Sequence, residues 1–446
     1  MTSTSGAASP DLGVPNRALL GGFGITNRSV ARALVERGHS AVAFDEMPNE
    51  TARGFADRLG IELLSPEASL DECLDQVDFV VPTPGLAEHH MVFEHARRRR
   101  LPLVSELDLA AQWDDRPVVA ITGTNGKTTV VEMCVDALQR SGARATAAGN
   151  TDVPLVEAIR ERSTEVFVVE ASSFRLARVR DFTPRVATWL NFAPDHLDVH
   201  LDLASYENAK ARIWRNLAVD GVCVANALDP VVMGHVRTDL PTVTFGGRRA
   251  DWRVAGGELA GPQGPFADVE DLWRSLPHDV EAALAVAATV TPVGATLDAV
   301  AAACREFEGL PHRIAPIGEI DGSTYYDDSK ATTPHATAAA LRGFGPVVLI
   351  AGGRNKGVDL AEMVVEANRV VGVVAIGDAS GEIVDAFSAT HLVEAAADMD
   401  EAVAHARRFA KGGAPVLLSP GCASFDWYES YRKRGEDFIR AVGEQQ

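Results

Sequence analysis

The chain has 446 residues, a hydrophobic content of 46% and a charged content of 23%, which are typical of a globular protein with about three domains of roughly 150 residues each. Its formal net charge of −20 argues against nucleic acid or an anionic membrane as a partner. The five cysteines lack metal-ligand spacing, and no apolar run reaches the ~18 residues of a membrane span. We therefore expect a cytoplasmic protein.

The first predicted domain, residues 17–112, follows a polar tail at 1–16 that we expect to be disordered, without the apolar core of a signal peptide. Its predicted elements are, in chain order, a strand with a glycine turn at 17–24, a helix at 29–37, and strands at 41–44 and 78–81. This is half a Rossmann unit, whose loose glycine fingerprint suits any nucleotide or diphosphate. The last strand runs into Pro-Thr-Pro-Gly at 82–85, a rigid turn at the edge where open α/β sheets bind ligands.

The second predicted domain, residues 113–309, carries the motif Gly-Thr-Asn-Gly-Lys-Thr-Thr at 123–129. A predicted strand precedes the motif and a predicted helix follows it, so the backbone N–H groups of the turn suit a phosphate. Lys127 would reach the β- and γ-phosphates of a nucleotide, and Thr128 would offer its hydroxyl to Mg²⁺. Ile121 stands where the usual phosphate loop has a glycine, so this loop is a variant.

Three further side chains of this domain are candidates for a metal site. Glu170 ends a predicted strand near the phosphate loop, where a carboxylate is well placed to ligate Mg²⁺. His196, taken alone, is more simply a core histidine satisfied by Asp195 or Asp198. Lys210 lies in a helical pattern, where a surface lysine is the simplest interpretation.

Lysine is scarce, because only six of the 42 lysine and arginine residues are lysines. A chain that uses arginine elsewhere is expected to keep lysine where a compact charge or a reactive amine is needed. Four of the six fall inside motifs, namely Lys127, Lys210, Lys330 and Lys356. This distribution favours functional roles for these four.

The third predicted domain, residues 310–446, begins after a hinge-like Gly-Leu-Pro-His-Arg at 309–313. Its predicted strands lie at 347–351, 370–376 and 416–419, each followed by glycine or proline. The whole chain is thus predicted to have an α/β fold of three domains. We expect a Rossmann-like N-terminal domain, a central domain of the P-loop ATPase type and a Rossmann-like C-terminal domain.

The motifs together resemble the Mur ligases over nearly the whole chain. They are Gly-Thr-Asn-Gly-Lys-Thr-Thr (123–129), Glu-Ala-Ser-Ser-Phe (170–174), Asn191 with Asp-His-Leu-Asp (195–198), Asn-Ala-Lys (208–210), Gly-Leu-Pro-His-Arg (309–313), Asp-Ser-Lys-Ala-Thr (328–332) and Gly-Gly-Arg-Asn-Lys-Gly (352–357). The resemblance implies an ATP-dependent, ADP-forming ligase of peptidoglycan precursor synthesis. It further implies that glutamate, expected to be the D-isomer, is added to UDP-N-acetylmuramoyl-L-alanine by a monomeric enzyme.

The same resemblance assigns expected roles to individual residues. ATP is expected at Gly123, Thr124, Asn125, Gly126, Lys127, Thr128, Thr129, Arg313 and Asp328. The acceptor is expected at Ile25, Thr26, Asp45, Thr83, Gly85, Asn150, His196 and Arg434, and the amino acid at Lys330, Thr332, Lys356, Ser424, Phe425 and Tyr431. Two Mg²⁺ sites are expected from Thr128, Glu170, His196 and a carbamylated Lys210, and Lys127, Glu170, His196 and Lys210 are the expected catalytic set.

Several residues depart from the family's pattern and leave alternatives open. Arg175 replaces a glutamine beside the acceptor, Glu46 and Met47 alter the diphosphate end of its site, and Asp279 and Ala282 replace asparagines that contact adenine. L-Glutamate or another acceptor and amino-acid pair therefore remains possible. A folate-polyglutamate type of ligase, a nicotinamide dehydrogenase and a nucleotide-binding protein without ligase activity are the more remote alternatives.

Overall fold

The computed structural model describes residues 16–64, 70–151, 153–197, 199–217 and 220–445, so the predicted tail lies almost wholly outside the described residues. The α/β class with three sheets is confirmed. The chain forms two compact units, of which the first holds residues 1–192, 199–266 and 283–303, and the second holds 193–198, 267–282 and 304–446. None of the described helices is long and apolar enough to cross a membrane.

The first sheet is a four-stranded parallel sheet in the order β3-β2-β1-β4. Its strands are β1 Arg17–Gly21, β2 Ser40–Phe44, β3 Glu62–Leu64 and β4 Phe79–Pro82. The surrounding helices are α1 Ile25–Glu36, α2 Glu50–Leu59, α3 Leu70–Leu74, α4 Met91–Arg98 and α5 Glu106–Trp113. The strand order reverses between β1 and β4, and such a switch point opens a crevice for a ligand.

The glycine turn after β1 is fixed by close contacts at this crevice. Gly22 has a φ of +81°, and a Cβ there would lie 2.6 Å from Thr83 Cγ2, so only glycine fits. The Phe23 amide donates a hydrogen bond to Asp45 Oδ2 at 2.7 Å. The ends of β1, β2 and β4 are therefore held together at one edge of the sheet.

The second sheet has nine strands in the order β13-β12-β11-β10-β9-β8-β5-β7-β6. They are β5 Val118–Thr122, β6 Ala145–Gly149, β7 Val166–Glu170, β8 Val186–Trp189, β9 Val222–Asn226, β10 Thr242–Gly246, β11 Trp252–Ala255, β12 Glu258–Gly261 and β13 Gly264–Asp268. Its helices are α6 Lys127–Arg140, α7 Leu155–Ala158, α8 Ser173–Leu176, α9 Leu203–Ala211, α10 Pro230–Gly234, α11 Pro277–Val290 and α12 Leu297–Glu306, with 3₁₀ turns at Arg212–Trp214, Val269–Asp271 and Thr291–Val293. The central strands β6, β7, β5, β8 and β9 run parallel, and β5 and β7 are almost fully buried because both faces of a parallel sheet are covered.

The third sheet has six strands in the order β14-β15-β19-β16-β17-β18 and lies in the second unit. They are β14 Ala315–Ile320, β15 Ser323–Asp327, β16 Val347–Gly352, β17 Val370–Ile376, β18 Val393–Ala395 and β19 Val416–Gly421. Its helices are α13 Pro334–Leu341, α14 Ser380–Phe387, α15 Met399–Phe409 and α16 Tyr431–Glu444, with a 3₁₀ segment at Leu360–Arg369. One hydrophobic core covers each face of this sheet.

The structure confirms the predicted strands and helices and moves some of their ends. Helix α1 begins four residues before the predicted start at 29, and its first turn buries the polar residues Thr26 and Asn27. Asn27 Nδ2 donates to the carbonyls of Gly21, Gly22 and Val81. Strand β3 was not predicted, since three residues are too few for a periodic pattern.

Candidate functional site

The candidate residues of all three sheets follow the carboxyl ends of neighbouring parallel strands. In the first sheet these are Ile25, Thr26, Asp45, Thr83 and Gly85, after β1, β2 and β4. In the second sheet they are residues 123–129, Asn150 and Glu170, after β5, β6 and at the end of β7. In the third sheet they are Asp328, Lys330, Thr332, Lys356, Ser424 and Phe425, after β15, β16 and β19. Within each sheet, strand order thus brings the predicted residues to a single edge.

The phosphate loop turns sharply from β5 into α6. Gly126 has a φ of +82° and is the N-cap residue of α6, which begins at Lys127. Lys127 Nζ donates to the carbonyls of Gly123 and Thr124, both at 2.8 Å. The lysine therefore lies folded over its own loop, where the N–H groups of a helix N-terminus favour an anion.

Glu170 lies one strand away from this loop, because β7 pairs with β5 so that Glu170 is opposite Ile121. Its side chain is buried, at 3% exposure, and Oε1 accepts a hydrogen bond from Asn150 Nδ2 at 3.0 Å. The second oxygen, Oε2, is buried without a hydrogen-bond partner. A buried carboxylate oxygen in this state suits a cation, since leaving it unsatisfied costs free energy.

Lys210 is fully buried on α9, contrary to the simplest interpretation of its helical pattern as a surface position. Its Nζ donates to the Gly123 carbonyl at 2.7 Å and lies 4.6 Å from the centre of the Tyr206 ring. The Tyr206 hydroxyl lies 3.1 Å from Thr124 Oγ1. Lys210 and Tyr206 therefore contact the first two residues of the phosphate loop.

His196 lies in the second unit, on the short segment 193–198. It has a φ of +56°, its ring is 36% exposed, and its Nε2 lies 3.2 Å from Asp195 Oδ2. Asp195 is buried and forms an ion pair with Lys356. Burial opposes ionisation of Asp195, but the charges of His196 and Lys356 hold the pKa of its carboxyl below the usual value. The prediction that Asp195 satisfies His196 is confirmed, although the ring is not in the core.

A buried ion pair links the crevice of the first sheet to the second sheet. Arg175 Nη1 lies 2.5 Å from Glu106 Oε2, and both side chains are almost fully buried. Arg175 Nη2 donates to Thr26 Oγ1 at 3.2 Å, and Glu106 Oε1 accepts from the Val156 amide at 2.9 Å. A small cleft next to this pair is lined by Thr83, Phe93, Arg178 and His200, among others. Arg175, which stands where the family has a glutamine, therefore places a charged pair with Glu106 beside this crevice.

Asp328 is buried beneath the third sheet's carboxyl edge. Its Oδ2 accepts a hydrogen bond from Ser419 Oγ at 2.8 Å. Burial raises the pKa of the Asp328 carboxyl to about 7, although the Ser419 hydrogen bond and the charge of Arg313 act in the opposite direction. Nearby, Arg274 pairs with Asp279, the position that departs from the family pattern. Asp279 is thus neutralised by an arginine of the same unit.

The residues of the third sheet that are predicted to bind the amino acid, and Arg434, which is predicted to bind the acceptor, show two kinds of environment. Lys330 Nζ lies 3.9 Å from the centre of the Tyr431 ring, and Phe425 is 63% exposed. Arg434 is 1% exposed, and its guanidinium donates to Ser329 Oγ and to the carbonyls of Ser329, Cys422 and Ala423. These contacts give Arg434 a role in holding two loops together, and its predicted contact with the acceptor stays a prediction.

Some contacts of the site could not be read from local sequence. Asn191 was noted only as part of a motif, yet its side chain bonds directly to the phosphate loop. Tyr206 and Glu106 were not among the predicted residues. Tyr206 lies two residues before the Asn-Ala-Lys motif, but nothing in the local sequence marks Glu106, and the partners of both lie tens of residues away in the chain. Among the described residues, no group of three His, Cys, Asp or Glu side chains is arranged to hold a metal.

Two family models match the chain. Residues 121–261 match the Mur ligase middle domain, and residues 312–422 match the Mur ligase glutamate ligase domain. A relative from Rubrobacter xylanophilus, named UDP-N-acetylmuramoylalanine–D-glutamate ligase, is 37% identical over 438 residues, which cover 96% of this chain and 98% of the relative. A relative of the same name from Symbiobacterium thermophilum is 36% identical over 453 residues, which cover 96% and 97% of the two chains.

Solved structures agree with the fold at much lower identity. The UDP-N-acetylmuramate-alanine ligase of Thermotoga maritima superposes with a TM-score of 0.57 at 19% identity, covering 97% of this chain and 100% of that one. The pseudomurein peptide ligase type C of Methanothermus fervidus gives 0.60 at 18% identity, covering 96% and 100%. At such identities the likeness shows the fold alone.

Proposed function

Because the chain belongs to the Mur ligase family, we propose that it ligates D-glutamate to UDP-N-acetylmuramoyl-L-alanine. Membership makes it an ATP-dependent, ADP-forming ligase of peptidoglycan precursor synthesis. The observation that carries the proposal is the phosphate loop with Lys127 one strand away from the buried, half-satisfied carboxylate of Glu170. The near full-length relatives of that name support the choice of substrates.

The proposed chemistry activates a carboxylate before it meets the amine. The terminal carboxylate of the acceptor attacks the γ-phosphorus of ATP, which gives an acyl phosphate and ADP. The amino group of glutamate then attacks the acyl carbon, and the tetrahedral intermediate loses phosphate to leave an amide. In such phosphoryl transfer, the positioning of the reactants and the neutralisation of their charge account for most of the rate enhancement by the enzyme. Lys127 and the N-terminus of α6 are suited to neutralise the transferred phosphoryl group.

Mg²⁺ is used by the family, and the residues present fit a divalent cation because Glu170 offers a buried oxygen without a partner. Thr128, Glu170, His196 and a carbamylated Lys210 would hold two such ions. Bound there, the metal would offset the negative charge of the phosphates. Glu170 itself is oriented by Asn150, whose amide occupies its other oxygen. The two-ion site and the carbamate remain proposals.

The role proposed for each residue depends on which of the three sheets carries it. We assign the UDP end of the acceptor to Ile25, Thr26, Asp45, Thr83 and Gly85, and its reacting end to Asn150 and His196. Glutamate is assigned to Lys330, Thr332, Lys356, Ser424, Phe425 and Tyr431, and ATP, beyond the phosphate loop, to Arg313 and Asp328. The domain boundaries proposed for this division are 112/113 and 309/310.

The deciding experiment is a phosphate-release assay with a panel of substrates. Purified protein is given ATP, Mg²⁺ and UDP-N-acetylmuramoyl-L-alanine with D-glutamate, L-glutamate, L-alanine or meso-diaminopimelate in turn. We expect release with D-glutamate at a rate at least about tenfold above the others. Lys127→Ala should fold normally and lose activity by roughly 10²-fold or more. A preference for another amino acid would overturn the assignment of glutamate.

A further inference from the structure

Asn191 links the end of β8 to the phosphate loop. Its Oδ1 accepts hydrogen bonds from the amides of Thr124 (3.0 Å) and Asn125 (2.9 Å), and its Nδ2 donates to the Asn125 carbonyl (3.2 Å). The backbone carbonyl of Asn191 also accepts from the Thr124 amide, at 3.1 Å. One residue thus fixes the direction of two amides and one carbonyl of the loop.

The loop and this residue are packed in close contact. A Cβ on Gly123 would lie 3.0 Å from Leu190 Cβ and 3.4 Å from the Asn191 amide nitrogen. At such distances a side chain at position 123 would require its neighbours to shift by a few tenths of an ångström. The loop's shape therefore depends on the position of residues 190 and 191.

Residues 190–192 are anchored on their other side to the end of β9. The Leu190 carbonyl accepts a hydrogen bond from Asn226 Nδ2 at 2.8 Å, and the Phe192 amide donates to Asp229 Oδ2 at 2.6 Å. Strand β9 pairs with β8 in register and ends at Asn226, and Asp229 is the N-cap residue of α10, which follows β9. Asn191 thus connects the phosphate loop to the end of the sheet by hydrogen bonds.

We infer that Asn191 is a positioning residue of the phosphate loop, a role that rests on the proposed binding of ATP phosphates there. By turning the Thr124 and Asn125 amides into the protein, it leaves Lys127 and the N-terminus of α6 to face the phosphates. A carboxamide is required because it offers an acceptor and a donor from one planar group. Aspartate has the same shape but sets a carboxylate oxygen against the Asn125 carbonyl, and it adds a negative charge beside the triphosphate.

Three variants test this role. Asn191→Asp keeps both accepted hydrogen bonds, so we expect it to fold with a Tm within about 4 °C of the parent. Its KM for ATP should rise about 10- to 100-fold, because the displaced loop would hold the phosphates less well. A misplacement of bound groups by ~1 Å can lower enzyme efficiency by up to ~10²-fold. Its KM for the acceptor and for the amino acid should change less than about threefold. Asn191→Ala should show the same split with a larger loss of Tm.

Asn216→Ala is the matched control, since it removes a half-buried carboxamide whose hydrogen bond goes to the Arg180 carbonyl and not to the loop or to residues 190–192. It should lower Tm and leave the KM for ATP within about threefold. Equilibrium titration with a fluorescent ADP analogue gives a readout apart from activity, and its Kd should rise in parallel with the KM for ATP in the two Asn191 variants alone.

The outcomes separate the two proposals. An Asn191→Asp protein with the parent's KM for ATP and Kd for the ADP analogue overturns the role of Asn191. An equal rise in KM and Kd in Asn216→Ala also overturns it, because general loosening would then be sufficient. If the parent protein releases no phosphate with any acceptor and amino acid, the proposed ligation fails instead, while the ADP titration still decides the role of Asn191.

Discussion

Lys210 lies in a helical sequence pattern that is typical of a surface position, yet its side chain is buried in the structure. It is buried beside the phosphate loop with its ammonium on the Gly123 carbonyl, and it is proposed, like Glu170, as a metal ligand. An ammonium would repel Mg²⁺, whereas addition of CO₂ to the neutral amine gives a carbamate with two hard oxygen donors. The scarcity of lysine in the chain agrees with a role that arginine cannot fill.

We expect Lys210→Arg to be as inactive as Lys210→Ala, with kcat reduced about 10²-fold or more, because arginine keeps the charge but cannot form the adduct. Acetate should partly restore the alanine variant by supplying the missing oxygens. Steady-state phosphate release with ATP in excess measures both effects. Lys411→Arg, at an exposed position, is the control and should match the parent. Substantial activity in Lys210→Arg would favour a lysine that acts only as a cation.

The carboxyl of Asp328 makes stability depend on pH. Its pKa is about 7 in the folded protein against an ordinary value of 3.8, because burial disfavours the charged form. The folded state therefore binds this proton more tightly than the unfolded state does. The contribution to stability is fully present below about pH 4 and is lost as the pH rises through 7.

Asp328→Asn should remove this dependence. Between pH 5 and 7, the parent should lose up to about 1.4 kcal/mol of unfolding free energy per pH unit relative to the variant. Urea unfolding at several pH values, monitored by circular dichroism, measures the difference between the two proteins. Parallel pH profiles for parent and variant would contradict the raised pKa, while Asp385→Asn at an exposed position should leave the profile unchanged.

The element that joins the first two sheets is the buried pair of Glu106 on α5 and Arg175 on α8. Removal of one partner from such a pair leaves an uncompensated charge, which costs about 3–5 kcal/mol, whereas replacement of both can be neutral. We expect Glu106→Gln to destabilise the protein by about 3 kcal/mol, since it keeps the bond to Val156 but loses the charge.

Arg175→Gln added to Glu106→Gln should recover most of that loss, because the pair is then neutral. Urea unfolding of the parent, the two single variants and the double variant gives the coupling energy between the residues. A double variant as unstable as Glu106→Gln would show that shape, and not charge, makes this contact stable.

The sequence predicts strands and helices well where the buried residues form a simple apolar pattern. Strands such as β5 and β16 are continuous apolar runs of five or six residues, and their predicted spans agree closely with the structure. The start of α1 could not be predicted, because Asn27 is polar and buried, and its three carbonyl partners include one at the end of β4. Likewise, the motifs identified Lys127 and Glu170, but the contacts of Asn191, Glu106 and Arg434 depend on partners distant in the chain.

At the scale of the whole molecule, the chain has two compact units, each with hydrophobic clusters of its own. Separate cores need not unfold together. We expect differential scanning calorimetry to show a calorimetric enthalpy larger than the van't Hoff enthalpy, as for two transitions. A ratio of one would show that the units unfold as a single cooperative body.

The second unit is discontinuous in the chain, and this has a consequence for synthesis on the ribosome. Asp195 pairs with Lys356, which follows 161 residues later, and Leu197 packs against a core built mostly from residues beyond 310. At ~5–20 residues per second, Lys356 emerges roughly 8–30 s after Asp195. During that interval the nascent segment has neither its ion-pair partner nor its core. The second unit can therefore be completed only when translation is nearly finished, and in a chain that ends before Lys356, Asp195 lacks its ion-pair partner and Leu197 lacks much of its core.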